Sequence, residues 1–156
     1  GEIDFADKVW RVPAERMKMK QAHVVPLSRQ SLYLLQELRG LARQSEFLFP
    51  ALHTTQRSIC ENTLNIALRR MGYGHDDMTS HGFRAMASTL LNESGLWHPD
   101  AIERALAHGE RNKVRAAYHR GAHWAERVRM AQWWSDYLDR LRIGGKVVRG
   151  KFRKLA

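Results

Sequence analysis

Cysteine and long hydrophobic runs are nearly absent from this chain. Cys60 is the single cysteine, so no disulfide can form within the chain, and we expect a reducing compartment. No apolar run approaches the ~20 residues that cross a bilayer, and no signal-peptide core opens the chain. We therefore expect a cytoplasmic protein that does not act at a membrane.

Acidic residues are also scarce. The chain has 16 Asp and Glu against 26 Lys and Arg, which gives a formal net charge of +10. A surplus of this size in a small domain indicates a polyanionic partner, and nucleic acid is the leading candidate. A basic protein without a nucleic-acid role stays an alternative. The 156 residues suffice for one domain with a real core.

Hydrophobic spacing predicts a mainly helical domain with a small antiparallel β-sheet near the N-terminus, an α+β fold. Short β-type runs at 9–13 and 22–27 read as a hairpin with a basic tip, "FLFP" (47–50) as extended chain and "HTTQRS" as a loop. Helices are expected after a Ser28 cap, at about 59–71, after a Thr79 or Ser80 cap, from Pro99, at about 111–119 and at about 124–141. A basic tail, 143–156, has a glycine hinge at its start, Gly144 and Gly145.

Three short segments carry residues suited to chemistry at phosphorus: "HGFR", "LAH" and "AAY". His81 and Arg84 are three apart at a helix start, so they share a face near unpaired backbone N–H groups and can bind one anion. Two histidines, an arginine and a tyrosine are what a metal-free transesterification would need, with a phenolate as nucleophile. His108 and Tyr118 complete this set.

The surroundings of Tyr118 favour its ionised form. Free tyrosine has a pKa of ~10, so nearby cations must shift the balance toward the phenolate at neutral pH. Arg115, His119 and Arg120 supply such cations in the sequence. A leaving 5′-oxygen also needs a proton donor, for which Lys18 and Lys20 at the hairpin tip both qualify.

The segments "AERMKMKQAHVVPLS", "TSHGFRAMASTLLNE" and "AIERALAHGERNKVRAAYHR" resemble the catalytic domain of tyrosine recombinases, in particular phage-type integrases of prophages and genomic islands. The resemblance covers nearly the whole chain. It implies site-specific DNA integration or recombination through a 3′-phosphotyrosyl intermediate, on attachment sites in double-stranded DNA. It also implies a bacterial, nucleoid-associated protein that is a homotetramer on DNA and a monomer as an isolated fragment, with no cofactor and no metal.

The resemblance assigns a role to each matching residue. Tyr118 matches the nucleophile, Arg84 the second arginine of the phosphate-binding pair, and His81 the first histidine, which accepts a proton. His108 matches the histidine that hydrogen-bonds the scissile phosphate. Lys18 stands eight residues before Pro26, as the family's hairpin lysine stands before its strand end, so Lys18 is preferred to Lys20 as general acid.

The family's first catalytic arginine has no match. It precedes a "W-x-x-I-D" type strand, whereas this chain begins at "GEID", and Arg11 falls inside a predicted strand. We therefore expect a catalytic domain that lacks its N-terminal part and, taken alone, is inactive or severely impaired.

Simpler interpretations remain open. Tyr118, His81 and His108 could each be structural, and a zinc site from His75, Asp77 and His81 is an alternative that no CxxC or HExxH motif supports. The rival functions are a non-catalytic basic DNA-binding module, such as a relic integrase, and a type IB topoisomerase. The tail could be solvated, contact DNA or dock on a neighbouring protomer.

Overall fold

The first 26 residues form a small antiparallel sheet. A computed structural model of the chain describes residues 1–42, 45–107 and 123–144. Strands β1 (Ile3–Asp4), β2 (Val9–Val12) and β3 (His23–Pro26) lie in that order in the sheet. In the β2–β3 pair, Val9 faces Pro26 and Val12 faces His23. The predicted hairpin is confirmed, and the basic segment lies between its strands.

A second, two-stranded sheet was not predicted. Strand β4 (Pro50–Ala51) pairs antiparallel with β5 (Thr54–Ser58). The prediction of a loop at "HTTQRS" was therefore wrong. This strand has no apolar alternation because it is almost entirely exposed, and the β-branched Thr54 and Thr55 are what favour extended backbone there.

The described residues form five α-helices, and most of their boundaries agree with those predicted from the sequence. They are α1 (Arg29–Leu41), α2 (Thr63–Arg70), α3 (Gly82–Glu93), α4 (Pro99–Ala105) and α5 (Trp124–Arg142). The Ser28 side chain caps α1 by accepting a hydrogen bond from the Ser31 backbone N–H. Helix α2 begins later than predicted, since residues 60–63 form a turn in which the Thr63 N–H donates to the Cys60 carbonyl. Pro99 opens α4 as expected.

The core lies among the last three helices. Leu91, Ile102 and Met130 form a buried cluster, against which Trp97, Trp133 and Trp134, with Ala105 and Leu106, pack. Ile102 is fully buried. This cluster joins α3, α4 and α5 into one body.

A polar seam attaches α1 to α5. The hydroxyls of Ser28 and Ser135 lie 2.7 Å apart, and the Gln30 amide donates to Asp136 at 2.7 Å. The Arg29 backbone N–H donates to the Gln132 side chain at 3.0 Å. The seam begins two residues after β3 ends, so it also anchors the end of the hairpin to α5.

The described residues have the predicted α+β class, mainly helical with small antiparallel sheets. Across residues 1–42, 45–107 and 123–144, no helix has the length and apolar character needed to cross a membrane. His108, the predicted helix at about 111–119 with Tyr118, and positions 145–156 of the basic tail lie outside the described residues. Gly144, at the predicted hinge, has a φ of +97°, a conformation that glycine adopts readily and that ends α5.

Candidate active site

The loop that leads into α3 is fixed by α2. The Arg69 guanidinium donates to the backbone carbonyls of Tyr73 and Met78, and the Asn65 side chain accepts from the Ser80 N–H at 2.8 Å. These bonds hold both ends of the loop against one helix. The start of α3, and with it the "HGFR" segment, therefore has a defined position.

His81 occupies the cap position of α3, directly before Gly82. Its side chain makes no capping hydrogen bond and is exposed, which leaves the ring free to meet a ligand. The expected cap at Thr79 or Ser80 is wrong in position, although the Thr79 hydroxyl does accept from the Gly82 N–H at 3.1 Å. A Cβ on Gly82 would lie 2.8 Å from the Met78 sulfur, so the glycine permits this close turn.

Arg84 connects two of the three segments singled out in the sequence. Its side chain is half-buried, and Nη2 donates to the carbonyl of Leu106, directly after α4. Leu106 is two residues before His108 in the chain. The contact therefore brings "HGFR" to the beginning of "LAH", although the His108 side chain itself is outside the described residues.

The two candidate lysines differ in their surroundings. Lys20 donates from Nζ to the Glu15 carbonyl at 3.2 Å and has a φ of +51°, so it is part of the hairpin's own backbone framework. Lys18 is exposed at the tip and makes no hydrogen bond or ion pair with the residues that the structure describes. The Lys18 ammonium is therefore free to meet a ligand, whereas the Lys20 ammonium is already engaged.

Sequence patterns did not single out His23, which lies near Arg84. The ring is half-buried on β3, and its Nε2 has no hydrogen-bond partner among the described residues. Burial lowers the pKa of His23, the nearby Arg127 and Arg84 cations lower it further, and a backbone hydrogen bond with Ala105 acts in the opposite direction. The net effect favours the neutral form of the ring. Its place in the β-type run at 22–27 was the only hint in the sequence, and that run does not show which side chains are buried.

Arg127 is a second residue that sequence reasoning missed. It is only 6% exposed, and Nη2 donates to the Val24 carbonyl at 2.5 Å, while the guanidinium lies 5.4 Å from the centre of the Trp124 ring. Burial lowers the pKa of Arg127, and the neighbouring Arg104 lowers it further. The signal in the sequence was an arginine three residues before Met130, on the apolar stripe of α5.

One group of side chains has the composition of a metal site. The ligating atoms of His98, Asp100 and His123 lie within 4.8 Å of one another. However, His98 Nδ1 accepts from the Asp100 backbone N–H, and the two imidazoles stack with centroids 4.9 Å apart and planes 21° apart. His123 Nδ1 in turn lies 2.9 Å from Glu126 Oε2, so the Nδ1 atoms of both histidines are already engaged. In the same described ranges, the zinc set considered from sequence, His75, Asp77 and His81, does not form such a group.

Two parts of the predicted site belong to the described residues. His81 and Arg84 lie at the start of α3, and Lys18 lies on the hairpin. His108 and Tyr118 fall outside the described residues, and their placement stays a prediction.

Comparison with known proteins gives consistent matches. The model of the Phage integrase family matches residues 1–123. The chain is 50% identical over 152 residues to the integrase of Enterobacteria phage P4, covering 88% of this chain and 35% of that protein. It is 43% identical over 147 residues to the prophage integrase IntA of Escherichia coli K12, covering 94% of this chain and 35% of that protein.

The putative protein IntB of the same strain is 43% identical over 153 residues, covering 89% of this chain and 39% of that protein. The chain thus spans little more than a third of the length of these relatives. No solved structure gives a significant match. The resemblance noted in the sequence is confirmed, and the chain belongs to the phage integrase family.

Proposed function

We propose that this protein is a tyrosine-type site-specific recombinase, which integrates DNA by cutting and rejoining one strand at a time at attachment sites in double-stranded DNA. The observation that carries the proposal is the contact from Arg84 to the Leu106 carbonyl, in a chain of the phage integrase family. The contact draws a phosphate-binding arginine and the segment of His108 together. A basic module without catalysis would not need this juxtaposition.

The reaction is a transesterification at phosphorus. The Tyr118 oxygen attacks the scissile phosphate, so a bond forms from the phenolic oxygen to phosphorus and the bond from phosphorus to the 5′-oxygen breaks. His81 accepts the phenolic proton, and Lys18 donates a proton to the leaving 5′-oxygen. The product is a 3′-phosphotyrosyl link and a free 5′-hydroxyl. Attack by a 5′-hydroxyl reverses the step, so rejoining consumes no nucleotide and requires no metal.

Arg84 and His108 stabilise the charge that develops on the phosphate. The guanidinium neutralises non-bridging oxygens, and the histidine donates a hydrogen bond to them. In the described state one Arg84 nitrogen already donates to Leu106, which fixes the direction of the planar group. The remaining N–H groups of the fork are those we assign to the phosphate.

DNA binding follows from the charge of +10. Lysine and arginine contacts to phosphates give affinity that falls steeply with salt and carries little base information. We propose residues 1–156 as the catalytic domain and 143–156 as a tail that contacts DNA or a neighbouring protomer. Recombination of two sites implies a homotetramer on DNA, in the bacterial cytoplasm beside the nucleoid, whereas the isolated domain is a monomer.

The first arginine of the family's phosphate-binding pair has no counterpart in the described N-terminal residues. Arg11 lies in β2 and pairs with Asp7 at 2.6 Å, and Arg16 pairs with Glu2 at 2.7 Å. Loss of one such cation costs about 3–4 kcal/mol of transition-state stabilisation. We therefore expect residues 1–156 alone to cleave DNA very slowly, and full-rate cleavage by them would contradict this part of the proposal.

The decisive test is a covalent adduct. A nicked attachment-site DNA, from which the cleaved end is lost, traps the phosphotyrosyl intermediate as a protein–DNA band that survives denaturation. We expect the complete protein to give this band, Tyr118→Phe to give none, and Tyr137→Phe to retain it because Tyr137 stacks against Trp133 and Trp134. A band that persists in Tyr118→Phe contradicts the assignment. DNA binding with no band in the unaltered protein would favour the non-catalytic module.

A further inference from the structure

One arginine of α2 closes the loop that precedes α3. The Arg69 guanidinium donates through Nη1 to the Tyr73 carbonyl and through Nη2 to the Met78 carbonyl. The residues between these two acceptors, 74–77, are exposed. A planar guanidinium presents its donors in a fixed fork, so this one side chain sets the distance between the two ends of the loop. The loop is therefore fastened to α2 at both ends.

The surroundings of Arg69 differ from those of a cation that serves only to attract DNA. Arg69 is half-buried, and its Nε is shielded from solvent without a hydrogen-bond partner among the described residues. A shielded donor without a partner costs free energy. The next residue, Arg70, is exposed and carries the same charge without this cost. The placement of Arg69 therefore serves the loop and not the surface charge.

A second residue of α2 holds the last residue of the loop. The Asn65 side-chain oxygen accepts a hydrogen bond from the Ser80 N–H at 2.8 Å. Asn65 and Arg69 are four residues apart in α2, so their side chains lie on one face of the helix and reach the same loop. Ser80 directly precedes His81, the cap residue of α3. The two side chains together fix the chain up to the point where α3 begins.

The first turn of α3 depends on this support, because helix ends have few intrahelical hydrogen bonds and open easily. The Arg84 N–H donates to the His81 carbonyl at 3.0 Å, and the Ala85 N–H donates to the same carbonyl at 3.3 Å. His81 and Arg84 share a face only while this turn is formed. Arg84 has a further anchor in the Leu106 carbonyl, whereas the His81 side chain makes no capping hydrogen bond. A loosened loop would therefore displace His81 first.

We propose that Arg69 and Asn65 are positioning residues for DNA cleavage: they hold the first turn of α3 so that the His81 ring faces the anion that Arg84 binds. The inference rests on the proposed function, in which His81 accepts the phenolic proton and Arg84 neutralises the phosphate. It assigns Arg69 no contact with DNA, because its two Nη atoms already donate to loop carbonyls.

The first test compares Arg69→Met with Arg70→Met in the complete protein. Both changes remove one positive charge from α2, but only Arg69→Met removes the loop contacts. We expect Arg69→Met to lower the single-turnover rate of adduct formation about 10- to 100-fold, the usual cost of small misplacement. Arg70→Met should keep the rate within about two-fold, and both variants should lose the same small amount of DNA affinity with their one cation. Equal rates in the two variants would overturn the inference.

Asn65 provides a test that leaves the cations in place. Asn65→Asp keeps the oxygen that accepts from the Ser80 N–H, whereas Asn65→Leu has a similar size and lacks the acceptor. We expect Asn65→Leu to lower the cleavage rate about 10-fold and Asn65→Asp to retain most of it. This pair also decides the matter if Arg69→Met does not fold. Equal losses in the two variants, or a folded Asn65→Leu that cleaves at the normal rate, would contradict the positioning role.

A double-mutant cycle separates positioning from a general weakening of the fold. If Arg69 acts through His81, Arg69→Met should cost little in a His81→Ala background, where the proton acceptor is already absent. A general weakening would lower the rate by the same factor with or without His81. Additive effects on the rate would therefore exclude the proposed route.

A measurement without DNA distinguishes failure of this inference from failure of the proposed function. Inorganic phosphate is titrated into the complete protein while the NMR signals of the His81 ring are followed. The ring signals should respond to phosphate in the unaltered protein and in Arg70→Met, and respond less in Arg69→Met. An equal response in all three proteins, or none, overturns the inference even if the adduct forms. If the unaltered protein forms no adduct, the proposed function fails, while the titration still decides whether Arg69 positions His81.

Discussion

Truncation of Arg127, the buried arginine of α5, should strongly destabilise the domain. In Arg127→Ala the Val24 carbonyl loses its donor at 2.5 Å, and hydrogen bonds to charged groups contribute about 1.5–3 kcal/mol. The contact with Trp124, at 5.4 Å, adds about 0.5–1 kcal/mol. Loss of two buried methylenes adds about 1.6 kcal/mol.

Part of this loss is offset. The guanidinium is desolvated, its Nε has no hydrogen-bond partner among the described residues, and Arg104 repels it. Removal of the charge relieves these costs, so we expect a net decrease of about 2–4 kcal/mol in the free energy of unfolding. For a domain of this size the melting temperature should fall by about 5–15 °C.

Urea unfolding followed by circular dichroism measures this change. Arg129→Ala is the matched control, because Arg129 is exposed two residues along the same helix and should cost less than about 0.5 kcal/mol. Arg127→Met, which keeps the volume and removes the charge, should lose less than Arg127→Ala. A loss below about 1 kcal/mol in Arg127→Ala would refute the claim that this side chain holds β3 to α5.

Three further changes test the packing and the helix ends. Ile102→Ala should cost about 2–5 kcal/mol in urea unfolding, because Ile102 is fully buried between the helices; a loss near zero would exclude it from the core. Ser28→Ala should cost about 1 kcal/mol through the lost cap of α1, and Ser28→Asn should recover most of it. The His98 backbone N–H, and after it His123, hold the pKa of Glu126 below its ordinary value of 4.5, so the ionised carboxylate stabilises the fold above pH 4.5 and this stabilisation is lost as the pH falls through the folded pKa. The difference in unfolding free energy between the unaltered protein and Glu126→Gln should therefore shrink in acid, and a difference that stays constant with pH would contradict this.

The elements that could be predicted from the sequence are those marked by a capping residue, a proline at the first helical position or a β-branched run. Ser28 caps α1 by its hydroxyl, Pro99 opens α4, and the β-branched runs at 9–13 and 22–27 pair as expected. The strand Thr54–Ser58 could not be recognised because both faces are exposed and no apolar alternation marks it. The start of α2 was misplaced, since the turn at residues 60–63 contains no glycine or proline to mark it.

The candidate site was predicted in part. The spacing within "HGFR" placed His81 and Arg84 together at a helix start, as found. The partner of Arg84, a backbone carbonyl at Leu106, has no side-chain signal and appears only in three dimensions. His23 and Arg127 were missed because a polar residue on an apolar face has meaning only when its buried partners are known.

A crystal structure of the complete protein with attachment-site DNA and vanadate tests the central claim most directly. Vanadate mimics the five-coordinate phosphorus of the transesterification. The account predicts that the Tyr118 oxygen binds the vanadium in line with the 5′-oxygen, with Arg84 and His108 on the equatorial oxygens, His81 near the phenolic oxygen and Lys18 near the 5′-oxygen. If these side chains face different surfaces, or if Tyr118 packs in the core away from the anion, the account is wrong.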